Sequence, residues 1–593
     1  MRFERVAACR IGAVLLFLAT GCFSPGQTPA GMSPVGGGYS SGANAAPAWT
    51  PDPSLGNPAQ HGRLYEMGRR FGDTGFDPDA QLIGEISDRH PSPSKTRHLI
   101  RESAYYAYTL LLTGDPADRA RAQEVLRRVL ASQDTRPGSP SEGAFLWIAE
   151  DHWENLPNPD LNSAAFVGTA LAEIVDLDRR RPALDPDLRA QVETACRLAV
   201  KEALRRNVDT NYTNIALLST GLAAAGAKLW NMPDAAAFAQ SKLDTVLGLA
   251  GNGLCYEYSS PTYMAVDLYG AYFARKFAFS TPFSKQADAM IDSLWRQIAC
   301  CYHAPTFQLA GPFGRAYGDN MLEYAAGLKY WLYLALDGAY PLVEVEHQHG
   351  GDEGSLGMLA DLPVSDRPEF KQPVPAWQEF TAIGGGQWPE RRLSQYRTGN
   401  LVLGTVAFQD EWTQKRNLVA YWRSDAPAPE GFRIGFCIDE SNETLPAGFP
   451  YAQISFHSRQ EKEVALVALA TSSDLPASGG SSFVFDLGAG IAEGAVPPLR
   501  IIDGSITAYL YPLSSDKAAH YDAQADARVF RVTRPWSSAD TVGAFHILSY
   551  LIIFRPSDQP APAVSGLTLN ADKEGIVSAS AVVDGTPLSI SFN

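Results

Sequence analysis

At 593 residues the chain is too long for one ordinary domain and implies two or three units, each able to bury a sizeable core. A net charge of -16, with no Lys/Arg run on the folded part, argues against a nucleic-acid partner. The same charge repels acidic polymers, so any acidic partner would need a locally basic cleft. Of the seven cysteines, Cys9 and Cys22 belong to the N-terminal leader. Cys196, Cys255, Cys300, Cys301 and Cys437 remain, and their spacing allows one or two disulfides without selecting a pairing. No paired C-x-x-C occurs, and no metal or cofactor is expected.

Arg2, Arg5 and Arg10 precede an apolar run, Ile11 to Ala19, that is too short to span a bilayer as a mature helix. Residues 1–22 therefore read as an export signal. Its end, Leu18-Ala19-Thr20-Gly21-Cys22, resembles a bacterial lipobox. That resemblance implies lipidation of Cys22 and a membrane association through the lipid; the lack of Asp after Cys22 fits an outer-membrane protein facing the periplasm or the cell surface. Ordinary signal-peptidase cleavage is the alternative. Residues 23–60, rich in Gly, Pro, Ser and Ala, read as a flexible tether.

From about 61 to 360 the chain is a succession of amphipathic helical segments separated by short Pro/Gly/Asn/Asp loops. Candidates are Thr96 to Thr113, Pro116 to Ser132, Ser163 to Asp178, Asp187 to Asn207, Asn214 to Trp230, Asp234 to Leu249, Met264 to Phe279, Lys285 to Cys300 and Met321 to Leu336. Short connections make successive helices antiparallel neighbours, and so many in one unit suggest a ring or solenoid of hairpins. No fixed-period repeat is present, which makes a regular solenoid the weaker choice. After Asp352 the character changes. A Pro-rich linker, 361–390, leads into β-branched and alternating runs over 391–593, among them Asn400 to Val406, Phe432 to Phe436, Glu463 to Val467, Ser482 to Phe485 and His546 to Ile552. Turn residues at strand-sized intervals make this part mainly antiparallel sheet, arranged as a sandwich.

One stretch between two helical segments concentrates chemistry. Cys255 to Asp267 holds Tyr256, Tyr258 and Tyr263 with Glu257, Asp267 and a Ser260-Pro261 turn. Pro261 keeps Ser260 out of the helical region, so Glu257 and Tyr258 precede the next helix, and Tyr263 and Asp267 share one face near its start. Upstream, Asn211-Tyr212-Thr213-Asn214 opens another helix; Asn211 is either its cap or a site residue, and Asn214, inside the first turn, is the better site candidate. Downstream, Gly311-Pro312-Phe313-Gly314-Arg315-Ala316-Tyr317-Gly318-Asp319-Asn320 is a glycine-rich loop whose backbone can approach a ligand closely.

These segments, on an exported helical unit followed by a β unit, resemble the α/α-toroid polysaccharide lyases, the broad group that includes chondroitin, hyaluronan, alginate and heparinase-type enzymes. The His-rich signature of the heparinase-like branch is not present around Tyr396 to Trp422. The resemblance implies an incomplete (α/α) toroid followed by a C-terminal antiparallel β-sandwich, acting on a carbohydrate polymer or oligomer. Cleavage of a uronic acid by β-elimination requires a neutralised carboxylate, a base for the C5 proton and an acid for the leaving oxygen. On this scheme Asn211 or Asn214 holds the carboxylate, Tyr258 or Tyr263 is base and acid, and Arg315 stabilises the phenolate. His152 or His303 could assist, although His303 reads as a solvated surface residue. Trp147 and Trp153 are candidate sugar-stacking platforms, and Asn162, Tyr317 and Asp319 candidate cleft residues, with an Arg315–Asp319 ion pair as the structural alternative.

Two other readings stand beside the lyase. An inverting glycosidase would use Glu257 as acid with Asp319 or Asp267 as base, with Glu150 or Asp151 as further candidates. A non-catalytic glycan-binding lipoprotein would need only the aromatics. His347-Gln348-His349 with Asp352 and Glu353 has metal-binding residue types, but in a linker-like region it reads as a solvated turn.

Overall fold

The computed structural model describes residues 49–84, 97–322, 327–342, 353–386, 388–412, 414–424, 433–439, 454–474, 480–487, 491–493, 498–513, 522–526, 529–535 and 540–592. Cys22 with the whole leader, residues 23–48 of the tether, and His347 to Asp352 lie outside them.

The helical half comprises α1 (Pro58–Gly75), α2 (Ile100–Thr113), α3 (Pro116–Ala131), α4 (Ser163–Arg180), α5 (Pro186–Arg206), α6 (Thr213–Trp230), α7 (Pro233–Asn252), α8 (Tyr263–Lys276), α9 (Thr281–Cys301), α10 (Leu328–Ala335) and α11 (Leu356–Ala360). Local chemistry sets several starts: Pro occupies the first turn of α3, α5, α7 and α9, and the side chains of Asp115 and Ser280 accept N-terminal amides of α3 and α9. The helix α1 begins inside the stretch expected to be tether.

Packing sorts the helices into two rows. The helices α2, α4, α6 and α8 pack on one another in succession, and α3, α5, α7 and α9 form a second row against them. Contacts of α8 with α10, α10 with α1, and α1 with α2 bring the first row back on itself. Glycines allow close approach at α6 and α8, where a Cβ on Gly270 would meet the Leu217 backbone at 2.6 Å. Leu217 faces Gly270 and Gly221 faces Ala274, so these two helices run parallel. Their N-termini, with that of α4, start at Ser163, Thr213 and Tyr263 and deliver the residues before them to one rim.

The second half is β. One eight-stranded antiparallel sheet has the order Asp522–Asp526, Val529–Pro535, Gly480–Asp486, Arg433–Asp439, Leu418–Ser424, Leu401–Val406, Arg391–Arg397, Trp377–Ala382. Its last strand falls within the expected linker. A second sheet contains Ile506–Leu513, Phe545–Pro556, Val464–Ser472 and Ile454–Glu461 in that order at its centre, and a three-stranded sheet follows with Val564–Ala571, Val577–Val583 and Thr586–Phe592. Period-two alternation explains the layering. Leu401, Leu403 and Trp422 of the first sheet share a core with Val467, Leu469 and Ile552 of the second, while Val402, Val419 and Tyr421 belong to the core of the helical half. On the second sheet Leu466 and Ala468 face Val577, Ala579 and Ala581 of the third. Strands covered on both faces read as continuous apolar runs.

The five cysteines beyond the leader are free, so none of the disulfides allowed by the sequence is formed among them. No helix among the described residues is long and apolar enough to cross a membrane, and no cluster of three or more His, Cys, Asp or Glu able to hold a metal ion occurs among them. Glu353, beside the stretch expected to be a solvated turn, is instead buried and accepts from the Tyr330 hydroxyl at 3.0 Å.

Candidate active site

Three loops meet where the helical half faces the first sheet. The segment 255–263 leads into α8, with Ser259 held at a φ of 50°. Against it lies the 311–320 loop: Gly314 donates to the Tyr258 carbonyl at 3.0 Å, and a Cβ on Gly314 would stand 2.9 Å from the Tyr256 carbonyl oxygen. On its other side Phe313 donates to the Arg416 carbonyl at 2.8 Å and Ala316 to that of Gln414 at 2.7 Å. The close approach permitted by Gly311 and Gly314 is therefore to the chain itself, Gly311 pressing on Val419, and not to a ligand.

Arg315 is the centre of this junction. Its Nη1 donates to Glu257 Oε1 at 2.7 Å, its Nη2 to Tyr263 Oη at 2.9 Å and its Nε to Gln414 Oε1 at 2.8 Å. The guanidinium carbon stands 4.1 Å from the centre of the Tyr263 ring, 5.0 Å from that of Trp412 and 5.1 Å from that of Tyr212. Burial works against the charge on Arg315, but Glu257 and the two phenols outweigh it and raise its pKa, so the guanidinium stays protonated. Glu257, 4 % exposed, is held from its other side as well: Oε2 accepts from the backbone N–H of Asn214 at 3.0 Å and from its Nδ2 at 2.6 Å, placing the carboxylate at the N-terminus of α6. Tyr263 is raised by burial, with Arg315 pulling the other way. Its hydroxyl has a long bond to Gln414 Oε1, 3.4 Å. Beside it, Tyr317 at 45 % and Trp412 at 36 % exposure form an aromatic rim, the Tyr317 ring 5.8 Å from that of Tyr263.

The other expected residues are distributed differently. Tyr258 is 1 % exposed, packs with Leu254, Ala382 and Leu393, and donates to Gln409 Oε1 at 2.7 Å, so its hydroxyl does not share the Arg315 centre. The amides of Asn211 and Asn214, expected to hold a substrate carboxylate, are engaged within the chain. Asn214 holds Glu257; Asn211 does not cap α6 but exchanges hydrogen bonds with Gly385, accepting at 2.8 Å and donating at 3.3 Å. Asp319 accepts from Arg416 Nε at 2.9 Å, which replaces the expected Arg315–Asp319 pair. Asp267 is completely buried, its two oxygens meeting no donor among the described residues, and burial raises its pKa well above the carboxylate range with Glu257 adding to the effect. His303 is buried, not solvated: Nδ1 meets Thr306 Oγ1 and Nε2 the Thr398 carbonyl, each at 2.8 Å, and burial lowers its pKa to about 4.

A second group lies before α4. Asn162 stands at the N-cap position of this helix but does not cap it through its side chain; its Nδ2 donates to Tyr212 Oη at 2.8 Å and its Oδ1 accepts from Arg206 at 2.8 Å. Trp147 donates through Nε1 to the Asp160 carbonyl at 3.0 Å, and Arg101 lies 5.4 Å from its ring. His152 is exposed, Trp153 half-buried, and Glu150 is paired with His98. Sequence reasoning missed Arg206, and missed Gln409, Trp412, Gln414 and Arg416 altogether. The signal available was the polar and aromatic run Phe408 to Asn417, which interrupts the apolar strand pattern.

Residues 63–354 match the family model described as "Domain of unknown function (DUF8769)". No curated protein matches the chain. Among solved structures the chain is similar to a heparan sulfate lyase HepC mutant from Pedobacter heparinus, at 10% identity and TM-score 0.34, covering 92% of this chain and 92% of that one. It is similar to heparinase III, the BT4657 gene product, at 10% identity and TM-score 0.34, with 91% of each chain covered. It is also similar to endoglucanase CelQ from Clostridium thermocellum complexed with cellotetraose, at 9% identity and TM-score 0.26, over 84% of this chain and 93% of that one.

Proposed function

We propose that the chain is a carbohydrate-active enzyme, a polysaccharide lyase that cleaves a uronic-acid-containing glycan by β-elimination at Tyr263. The observation that carries this reading is the Arg315–Tyr263 arrangement: a guanidinium anchored by Glu257 donates to the phenol oxygen and covers its ring. A phenolate formed there has a fixed positive charge beside it. Once Tyr263 has lost its own proton to solvent, its phenolate accepts the C5 proton and hands it to the leaving oxygen as the C4–O bond breaks, so a double bond forms between C4 and C5 and the phenolate is regenerated. Tyr317 and Trp412 supply apolar faces on which a sugar ring can stack.

The hydrolase reading is less well served. Three of the four acceptor positions of the Glu257 carboxylate are taken by Arg315 and Asn214, which tie it to the chain rather than to a glycosidic oxygen, and Asp267 is enclosed away from any attacking water. The return of the first helical row on itself supports an (α/α) toroid, and the core shared by the two large sheets supports a β-sandwich. Export and anchoring through Cys22 rest on the leader sequence; Cys22→Ser should move the protein from the membrane to the soluble fraction, and unchanged fractionation would exclude the anchor.

The test mixes the purified mature protein, without its lipid, with a panel of polyuronates and follows the ultraviolet absorbance of the conjugated enoate. A rise that disappears in Tyr263→Phe is expected. No rise, with new reducing ends on neutral glycans, would establish hydrolysis instead; binding without turnover would leave a glycan-capture protein.

A further inference from the structure

The lyase reading requires a cation or amide for the substrate carboxylate, and the amides first expected there are committed to Glu257 and Gly385. We propose that Arg206, positioned by Asn162 beside Tyr212, is an anion subsite that binds a carboxylate of the glycan and sets the preference for acidic over neutral sugars. This rests on the acidic-glycan reading above.

Arg206 is the last residue of α5 and stands half-buried at the rim where α4 and α6 begin. One of its five N–H groups, on Nη1, donates to Asn162 Oδ1 at 2.8 Å. Asn162 passes the link on through Nδ2 to Tyr212 Oη at 2.8 Å, and the Tyr212 ring lies 5.1 Å from Arg315. The chain Arg206, Asn162, Tyr212, Arg315, Tyr263 therefore runs continuously from the proposed subsite to the proposed reacting hydroxyl. An amide oxygen orients the guanidinium but does not neutralise it.

The surrounding arginines differ from Arg206 in one respect. Arg315 has Glu257, Arg416 has Asp319 and Arg205 has Glu202 as ion-pair partners. Among the described residues no carboxylate lies within ion-pair distance of Arg206. Burial lowers its pKa, with Asp160, Tyr212 and Glu202 compensating only from a distance. A partly desolvated guanidinium with unused donors favours a bidentate carboxylate, which supplies both the missing charge and two parallel acceptors. Such a site also answers the difficulty posed by a chain of net charge -16, because it is a local cation in an acidic protein.

The experiment measures Kd by calorimetry for tetrasaccharides of galacturonan, alginate and hyaluronan, and for the same oligosaccharides with their carboxyl groups reduced to alcohols. It compares the wild-type chain with Arg206→Gln and Arg206→Lys. The expected result is a loss of about 10- to 100-fold in affinity for the acidic form in Arg206→Gln, an intermediate loss in Arg206→Lys, and no change for the reduced form. An equal loss on both forms would assign Arg206 a merely structural role, and unchanged affinity for the acidic form would also overturn the proposal. A wild-type chain that binds none of the acidic forms, or binds reduced forms equally well, would overturn the acidic-glycan reading along with it; enoate formation that persists unaltered in Arg206→Gln would overturn the subsite alone.

Discussion

Arg315 and Glu257 form a buried ion pair, 2.7 Å between Nη1 and Oε1, that ties the glycine-rich loop to the loop before α8 and at the same time aims the guanidinium at Tyr263. Each partner makes further hydrogen bonds, Glu257 to both donors of Asn214 and Arg315 to Gln414. Removing one member of such a pair leaves the other charge uncompensated. Glu257→Gln should therefore lower stability by about 3–5 kcal/mol in denaturant unfolding, with turnover falling through misplacement of Arg315. A variant as stable as wild type but inactive would point to Glu257 itself as a chemical group.

The two tyrosines of the same loop should separate in function. Tyr263→Phe removes the hydroxyl that Arg315 addresses and should lower kcat about 10²- to 10⁴-fold at a stability cost of about 1 kcal/mol. Tyr258→Phe loses only the bond to Gln409 and should lower stability by a similar amount while leaving kcat within about twofold. Enoate formation and chemical denaturation on both variants decide the matter; equal losses of activity would contradict the placement of Tyr258.

His303 should give the protein an acid-sensitive component. Its folded pKa is lowered to about 4 by burial, against about 6.5 for an unfolded histidine, so the unfolded chain binds the proton first as pH falls. The contribution is fully present above about pH 6.5, is lost progressively towards pH 4, and amounts to about 3 kcal/mol. His303→Gln should be less stable than wild type at pH 7, and the gap should narrow by pH 4. A gap independent of pH would refute the assignment.

Gly404 sits in the strand Leu401–Val406 where the 311–320 loop crosses it. A Cβ there would run into the backbone carbonyl of Gly311. Gly404→Ala should cost about 3 kcal/mol, because neither backbone can yield without moving the loop that carries Arg315. Gly399→Ala, which opens onto free space, should stay within about 0.5 kcal/mol of wild type. Thermal melts of the two variants side by side provide the check.

The order of helices and then strands was legible in the chain because its signals are local. Apolar spacing outlined α4 and α6 almost to the residue, and Pro116 after Asp115 marked the start of α3. The helix α1 was obscured by the Gly/Pro-rich stretch before it, and α9 begins at Thr281, earlier than apolar spacing alone indicates, because Ser280 caps it. The starts of α4, α6 and α8 recur regularly, yet the residues before them are Asn162, Tyr212 and Thr262, so no sequence repeat betrays the regularity.

The two-part α then β order, and which polar and aromatic residues fall on loops, follow from local signals, since propensity, capping and turn chemistry act over a few residues. Which donors are already engaged depends on long-range packing. Asn211 meets Gly385, Tyr258 meets Gln409, and His303 meets Thr398, partners 174, 151 and 95 residues away. A side-chain amide or hydroxyl carries the same chemistry whether it awaits a ligand or satisfies a distant strand. What separates the two is whether folding brings a buried partner within hydrogen-bond reach, and for Arg206 it brings, among the described residues, an amide but no carboxylate.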